Sequence, residues 1–251
     1  MIRLFNRYEL KYIVDARRYR RLVDDLTQFM IPDAHGDVDG FYRVISLYYD
    51  SPQLSGYWSK LDGLKFRRKL RLRIYPGTDI RNVRTGFVEI KQRINRTVQK
   101  RRLVLPLAEA ERLCAGDEVP SSLDELDTTT ANEVAYMVRA LQLRPRCIVS
   151  YRRRAFMGNR YESGMRLTFD MQLQGRIHAL EVNQIAHNYY FLPPDSLVME
   201  VKVNERIPAW MVSLLARHEC QIQRVSKYCA ALAQGTSQFR RAAYHKENLY
   251  G

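Results

Sequence analysis

The sequence predicts an α+β chain built on an antiparallel β-barrel with a basic lumen, covered by peripheral helices. Three observations point there. Segments of period-two alternation dominate both halves of the 251-residue chain, the polar side of those segments is charged, and the few segments of helical periodicity each carry a single apolar stripe. The pattern Glu-x-Lys occurs three times in strand-like surroundings, as Glu9-Leu10-Lys11, Glu89-Ile90-Lys91 and Glu200-Val201-Lys202. Residues two apart on a strand point to one side at about 6.5–7 Å spacing, so each pair sets a carboxylate beside an ammonium. Such carboxylates suit a hard divalent cation, and the ammonium groups suit phosphate charge that a metal leaves uncovered.

Alternation predicts strands near 5–13, 42–49, 66–75, 86–94, 98–105, 147–156, 164–172, 175–183 and 196–204. A helix is expected at 16–30, where Tyr19, Leu22, Val23, Leu26 and Phe29 form one stripe behind an Asp15 cap. A second is expected at 130–143, with Val134, Met137, Val138 and Leu141 on one face and Pro145 just beyond. Two more follow Pro208 and Ser226, the last closed by Gly235. The Ser/Thr/Asp-rich stretch 114–130 reads as a surface connection. One domain over 1–235 and a polar tail over 236–251 complete the expected organisation.

The charges follow strand parity. In 66–75 the odd positions are Arg67, Lys69, Arg71 and Arg73, whereas Phe66, Leu70, Leu72 and Ile74 take the other side. The same parity groups Arg7 with Glu9 and Lys11, Glu89 with Lys91 and Arg93, Lys100 with Arg102, and Tyr151 with Arg153. It also groups Arg166 with Thr168 and Asp170, and Glu200 with Lys202. A solvated face would intersperse both signs, and like charges stacked on neighbouring strands repel, so an anion is expected to complete this surface. The formal net charge of +14 agrees with polyanionic partners.

Other chemistries lack their motifs. No GxxxxGK[ST] loop and no GxGxxG is present, and His35, His178, His187, His218 and His245 show neither metal-ligand nor triad spacing. Cys114, Cys147, Cys220 and Cys229 are dispersed without CxxC spacing, which suits reduced thiols. Residues 1–10 lack the apolar core of a signal peptide, and no run reaches the ~18–20 apolar residues of a membrane span, so a cytoplasmic protein is expected. Ser226-Lys227 stands at the head of the last expected helix, where it reads either as a plain cap or as a phosphate contact.

Taken in order, RYELKYIV (7–14), SLYYDSP (46–52), RKLRLRIYP (68–76), FVEIKQR (87–93), YRRRAF (151–156), MRLTFD (165–170), MEVKV (199–203) and VSKYCAAL (225–232) resemble the VTC domain. This is the polyphosphate polymerase branch of the triphosphate tunnel metalloenzymes, and the likeness spans about residues 5–233. The resemblance implies a tunnel of antiparallel strands and ATP-dependent polyphosphate synthesis with Mn²⁺ or Mg²⁺. It implies catalytic roles for Arg71, Arg73, Lys91, Arg153 and Lys227, and substrate contacts by Lys11, Lys100, Tyr151, Arg166, Lys202, Arg224 and Ser226. Arg224 stands where the eukaryotic pattern has lysine, which keeps the charge but changes the donor geometry. Glu200 corresponds to the metal-binding glutamate, with Glu9 and Glu89 as weaker metal candidates. Expected partners are ATP and pyrophosphate or polyphosphate, with no nucleic acid, and a membrane-protein partner is the route by which the chain would reach a membrane's inner face. Two alternatives stay open on the residues: hydrolysis of triphosphate or short polyphosphate, and noncatalytic binding of a polyanion such as polyphosphate or RNA.

Overall fold

The computed structural model describes residues 8–95, 97–159, 164–204 and 206–247, and of 238–247 the backbone alone. In chain order the elements are β1 (Tyr8–Asp15), α1 (Ala16–Leu26), β2 (Met30–Pro32), β3 (Phe41–Asp50), α2 (Ser55–Leu61), β4 (Phe66–Ile74), β5 (Thr85–Ile94) and β6 (Thr97–Pro106). They continue with α3 (Leu107–Ala115), α4 (Glu125–Ala140), β7 (Arg144–Gly158), β8 (Arg166–Arg176), β9 (Tyr189–Tyr190), β10 (Ser196–Val203), α5 (Ala209–Arg217) and α6 (Lys227–Glu247). The α+β class is as expected. Eight strands run in the order β1-β10-β8-β7-β3-β4-β5-β6, with β2 on β7 and β9 on β8, and every pairing with a described register is antiparallel. The path ends at β1 and β6, and no ladder among the described residues joins those ends as a hydrogen-bonded closed barrel would require.

The chain divides into two compact units, each assembled from distant segments. The first holds Met1–Val44, Tyr151–Leu173 and Leu192–Ser226. Its core sets Tyr12 and Val14 of β1, Met199 and Val201 of β10, and Leu167 and Phe169 of β8 under Leu22, Val23 and Leu26 of α1 and Met211, Leu214 and Leu215 of α5. The second holds Ile45–Ser150, Gln174–Phe191 and Lys227–Gly251. There Leu70, Leu72 and Ile74 of β4, Val88 and Ile90 of β5, and Leu103 and Leu105 of β6 pack beneath α3 and α4.

Local chemistry sets the helix ends. Asp15 caps α1 by accepting from the Arg18 amide at 2.7 Å. That helix stops at Leu26, short of the expected residue 30, because Met30 already pairs with Gly158 in β2. Helix α4 begins five residues before expected, behind the Asp124 cap, which accepts from Asp127 N at 2.7 Å. The threonines that suggested a loop return their hydroxyls to the preceding turn: Thr129 Oγ1 donates to Glu125 O at 2.9 Å and Thr130 Oγ1 to Leu126 O at 3.3 Å. Helices α2 and α3 were not expected; α3 buries Leu107, Ala110, Leu113 and Cys114 and closes on Gly116 at φ 97°.

Two further expectations are corrected. The strand expected at 175–183 ends with β8 at Arg176, whose buried guanidinium donates to the carbonyls of Ala179, Glu181 and Gln184 and to the Asn188 side chain. One arginine thus gathers an irregular loop in which a strand partner is unnecessary. Helix α6 continues through Gly235 to Glu247, so the expected stop at Gly235 is not found; 248–251 lie outside the described residues. Gly235 serves packing, since a Cβ there would collide with the Tyr189 ring and Ile177. Among the described residues no helix is long and apolar enough to cross a membrane.

Candidate functional site

In the second unit, register converts strand parity into rows of side chains. Tyr48 of β3 lies opposite Arg71 of β4, Arg71 opposite Glu89 of β5, and Glu89 opposite Arg102 of β6. Two positions along, Lys69, Lys91 and Lys100 form a second row across β4, β5 and β6. Glu89 is fully buried and is the hub. It accepts from Arg71 Nε at 2.6 Å, Arg102 Nε at 2.7 Å and Lys100 Nζ at 3.2 Å, and Arg73 Nη1 stands 3.6 Å away. Burial opposes ionisation of Glu89, but Arg71, Arg73, Lys100 and Arg102 outweigh it and hold the carboxyl well below the usual range. Four cations thus share one anion.

Strand β3 supplies the supports. Ser46, Tyr48 and Asp50 alternate on one face, which explains the SLYYDSP block residue by residue. Ser46 Oγ accepts from Arg73 Nε at 3.0 Å and Tyr48 Oη from Arg71 at 3.0 Å. Asp50 accepts from the amides of Gly56 and Tyr57 at the start of α2 and from Tyr228 Oη at 2.6 Å. Burial raises the Tyr48 phenol, yet Arg71, Arg73 and Lys227 more than compensate and bring it below its usual value. Burial lowers Lys69, with Lys91 adding repulsion, and pushes Lys100 down to about 8 despite Glu89. Lys69 sits 4.8 Å from the Tyr228 ring centroid and 3.7 Å from Cys229 Sγ.

The first unit holds a charge-balanced cluster. Lys11 of β1 pairs in register with Glu200 of β10 and Glu200 with Thr168 of β8; Glu9 pairs with Lys202 and Lys202 with Arg166. Lys11 Nζ lies 3.1 Å from Glu9 and 3.3 Å from Glu200, and Lys202 Nζ lies 2.9 Å from Glu200. Arg153 closes its fork on Asp170 at 2.6 and 2.8 Å, and its Nη2 reaches Tyr151 Oη at 3.4 Å and Glu200 at 4.0 Å. Burial acts against the charge of Lys11, but Glu200 and Glu9 prevail and hold it above the ordinary lysine value. Burial pushes Lys202 down to about 8, with Arg153 reinforcing the shift against Glu200 and Glu9.

Most of the expected site residues therefore fall into one cluster or the other. Arg71, Arg73, Lys91 and Lys100 join the Glu89 cluster, and buried Lys227 acts on Tyr48. Lys11, Tyr151, Arg153, Lys202, Glu9 and Glu200 join the Glu200 cluster. Arg166 shares their face but binds Asp33 at 2.6 Å and Tyr42 Oη at 2.9 Å. The segment before α6 runs beside β1, with Gln223 N on Lys11 O at 2.7 Å and Lys11 Nζ 3.5 Å from Val225 O; Ser226 directly precedes the helix. Arg224 on that segment is exposed and enters no ion pair among the described residues. Arg7, expected beside Glu9, lies outside the described residues. Tyr48 was not singled out in the sequence, whereas Arg102, Asp170 and Thr168 were grouped by parity with Lys100 and Arg166 but given no role in the site.

Divalent metal would find two carboxylates on adjacent strands, Glu9 and Glu200, both within reach of one ammonium. Across from Glu200, the fully buried Thr168 Oγ1 has no hydrogen-bond partner, an orphaned acceptor on the same face. No group of three or more His, Cys, Asp or Glu suited to a metal occurs among the described residues. The donor set fits Mg²⁺ or Mn²⁺, which take one or two carboxylates and complete their shell with water and phosphate oxygens, and it does not fit an all-protein cage.

A family model described as "VTC domain" matches residues 6–235. Among curated proteins no match is found. Among solved structures, the Bacillus halodurans protein bh2851, described as a candidate adenylate cyclase, is 14% identical with a TM-score of 0.50, covering 88% of this chain and 95% of that one. A Hippeastrum protein, HpAC1, described as a candidate adenylyl cyclase with a dominant triphosphatase activity, is 12% identical with a TM-score of 0.49, covering 90% and 95%. At such identity the first likeness is one of fold, which agrees with the antiparallel α+β architecture. With a family match running from before β1 into α6 and every quoted block inside it, the chain belongs to the VTC domain family.

Proposed function

We propose that the protein is a metal-dependent polyphosphate polymerase that transfers the γ-phosphoryl group of ATP to the end of an inorganic polyphosphate chain. The observation that carries this reading is the Glu89 cluster, in which Arg71, Arg73, Lys100 and Arg102 converge on a single buried carboxylate. Unit charges about 4 Å apart interact by about 4 kcal/mol at intermediate screening, so four cations gathered around one carboxylate favour entry of a polyanion. Membership in the VTC domain family supports the same substrate class.

In this reading the acceptor's terminal phosphate oxygen attacks the γ-phosphorus in line, the bond to the β-phosphate oxygen breaks, and ADP leaves with the electron pair. The acceptor is already an anion, so no general base is required. Arg71, Arg102 and the Lys69–Lys91–Lys100 row reduce repulsion between the two polyanions and stabilise charge on the transferring group. Glu200 with Glu9 would hold Mg²⁺ or Mn²⁺, whose chemistry is to neutralise and orient phosphate oxygens. Glu89, surrounded by four cations, organises the arginines and leaves the metal to Glu200 and Glu9.

Incubation with ATP and Mn²⁺ or Mg²⁺, followed by sizing of products on a gel, tests the proposal. Acid-labile chains longer than triphosphate are expected. Release of orthophosphate alone would make water the acceptor and identify a triphosphatase, and metal-independent RNA binding without ATP turnover would identify a binder.

A further inference from the structure

We infer that one edge of the second unit, formed by α2, the start of β4 and the tip of the β5–β6 hairpin, docks on an anionic lipid surface. Helix α2 buries none of its side chains. Trp58 and Leu61 on it, Leu64 in the following turn, Phe66 at the start of β4 and Ile94 at the end of β5 are each between 40% and 55% exposed. The backbone draws them together: Leu64 N donates to Ser59 O at 3.0 Å, Phe66 pairs with Ile94, and Asn95 N donates to Lys65 O at 2.9 Å. Five large apolar side chains on two adjoining tips are more than scattered surface hydrophobics, and such clusters mark interaction sites.

Charge selects the occupant. Within or beside these segments stand Lys60, Lys65, Arg67, Arg68 and Arg93 against one carboxylate, Asp62. Lys60 closes the last turn of α2, Lys65 and Arg93 are exposed, and Arg67 follows Phe66 directly. A tryptophan and aliphatic groups set among cations match the boundary between anionic headgroups and acyl chains, where indole rings settle and each Lys or Arg adds about fivefold in binding. Glu133 offsets only part of this charge: it lies 3.7 Å from Arg68 and also binds Arg101 at 2.5 Å.

The test is sedimentation of the full chain with phosphatidylcholine vesicles and with vesicles that also contain phosphatidylserine. A Trp58→Ser/Leu64→Ser/Phe66→Ser variant keeps every cation, so it separates this patch from the cation clusters of the sheet. Binding to the phosphatidylserine vesicles is expected, with a loss of at least about tenfold in the variant and an unchanged melting temperature. Trp210 is the second of only two tryptophans, so in a Trp210→Phe background the emission of Trp58 should move to shorter wavelength when vesicles are added. Equal binding by the chain and the variant overturns the inference, as does an unshifted Trp58 emission. Absence of vesicle binding together with patch-dependent self-association in sedimentation velocity also overturns it, and would assign the patch to a second copy of the chain.

Discussion

Replacing Glu200 by glutamine removes the carboxylate that reaches Lys11, Lys202 and Arg153 at 3.3, 2.9 and 4.0 Å. The amide still accepts one hydrogen bond but brings no charge, and Glu200 is only 5% exposed. Losing the charged character of two close bonds costs roughly 1–1.5 kcal/mol each, and breaking a buried pair outright costs about 3–5 kcal/mol, so about 3 kcal/mol is expected. At about 2–4 °C per kcal/mol for a chain of this size, the melting temperature should fall by about 6–12 °C. The loss should depend on pH through Lys202. Its folded value of about 8 lies below the ordinary lysine value of 10.5, so between these the unfolded chain binds more protons and stability rises with pH. Without Glu200 the folded value falls further, and the variant begins its rise at lower pH. The gap between the two proteins should therefore narrow as pH climbs from about 6 to about 8, then stay constant. Thermal unfolding by circular dichroism across that range measures the gap, and turnover with ATP and Mn²⁺ measures activity, which should be abolished. A gap that is flat or widens would refute the pairing of Glu200 with Lys202, and full metal-dependent turnover would move the metal elsewhere.

Glu89→Gln leaves four cations without their anion, so sulfate or pyrophosphate should raise the melting temperature of the variant more than that of the parent chain; equal shifts would deny Glu89 its organising role. Pyrophosphate affinity, measured by titration calorimetry, should fall as pH rises past about 8, because Lys100 then loses its proton. Lys100→Arg should flatten that profile, and unchanged slopes would exclude Lys100 from binding. Gly235→Ala should destabilise by about 1–3 kcal/mol through collision with Tyr189, which donates to Ala231 O at 2.8 Å, and Tyr189→Phe in the same chain should restore part of the loss. A melting temperature indifferent to Gly235→Ala would contradict the close approach of α6 to β9.

What the sequence disclosed of the site was which side chains share a strand face, because parity is a property of one strand. Lys69, Arg71 and Arg73 were legible as one row in that way, as were Glu200 and Lys202. It could not disclose register, which is a relation between strands: that Glu89, rather than Lys91, lies opposite Arg71 and Arg102 depends on pairings far apart in the chain. Tyr48 was missed for this reason, since only the β3–β4 register brings its hydroxyl to Arg71. Elements were lost where local chemistry imitated another state. The threonines of α4 look like a loop until their hydroxyls fold back on the helix, and Gly235 looks like a cap until its neighbour proves to be Tyr189. The extended look of 177–183 likewise reflects a loop gathered on Arg176.

The apolar face then determines what the polar face can do. Leu70, Leu72 and Ile74, Val88 and Ile90, and Leu103 and Leu105 are all nearly or fully buried beneath α3 and α4. A slip of one residue between β4 and β5 would set Arg71 opposite Ile90 and would require cations of β4 to enter the core or its leucines to leave it. Burying each of Leu70, Leu72 and Ile74 contributes about 1.5–3 kcal/mol, so the row of three exceeds the about 4 kcal/mol repulsion of a neighbouring cation pair. The register is thus held by hydrophobic packing against an electrostatic preference to spread the cations apart. An anion that binds Arg71, Arg102 and Lys100 meets charges already positioned, and most of the cost of assembling them has been met in folding.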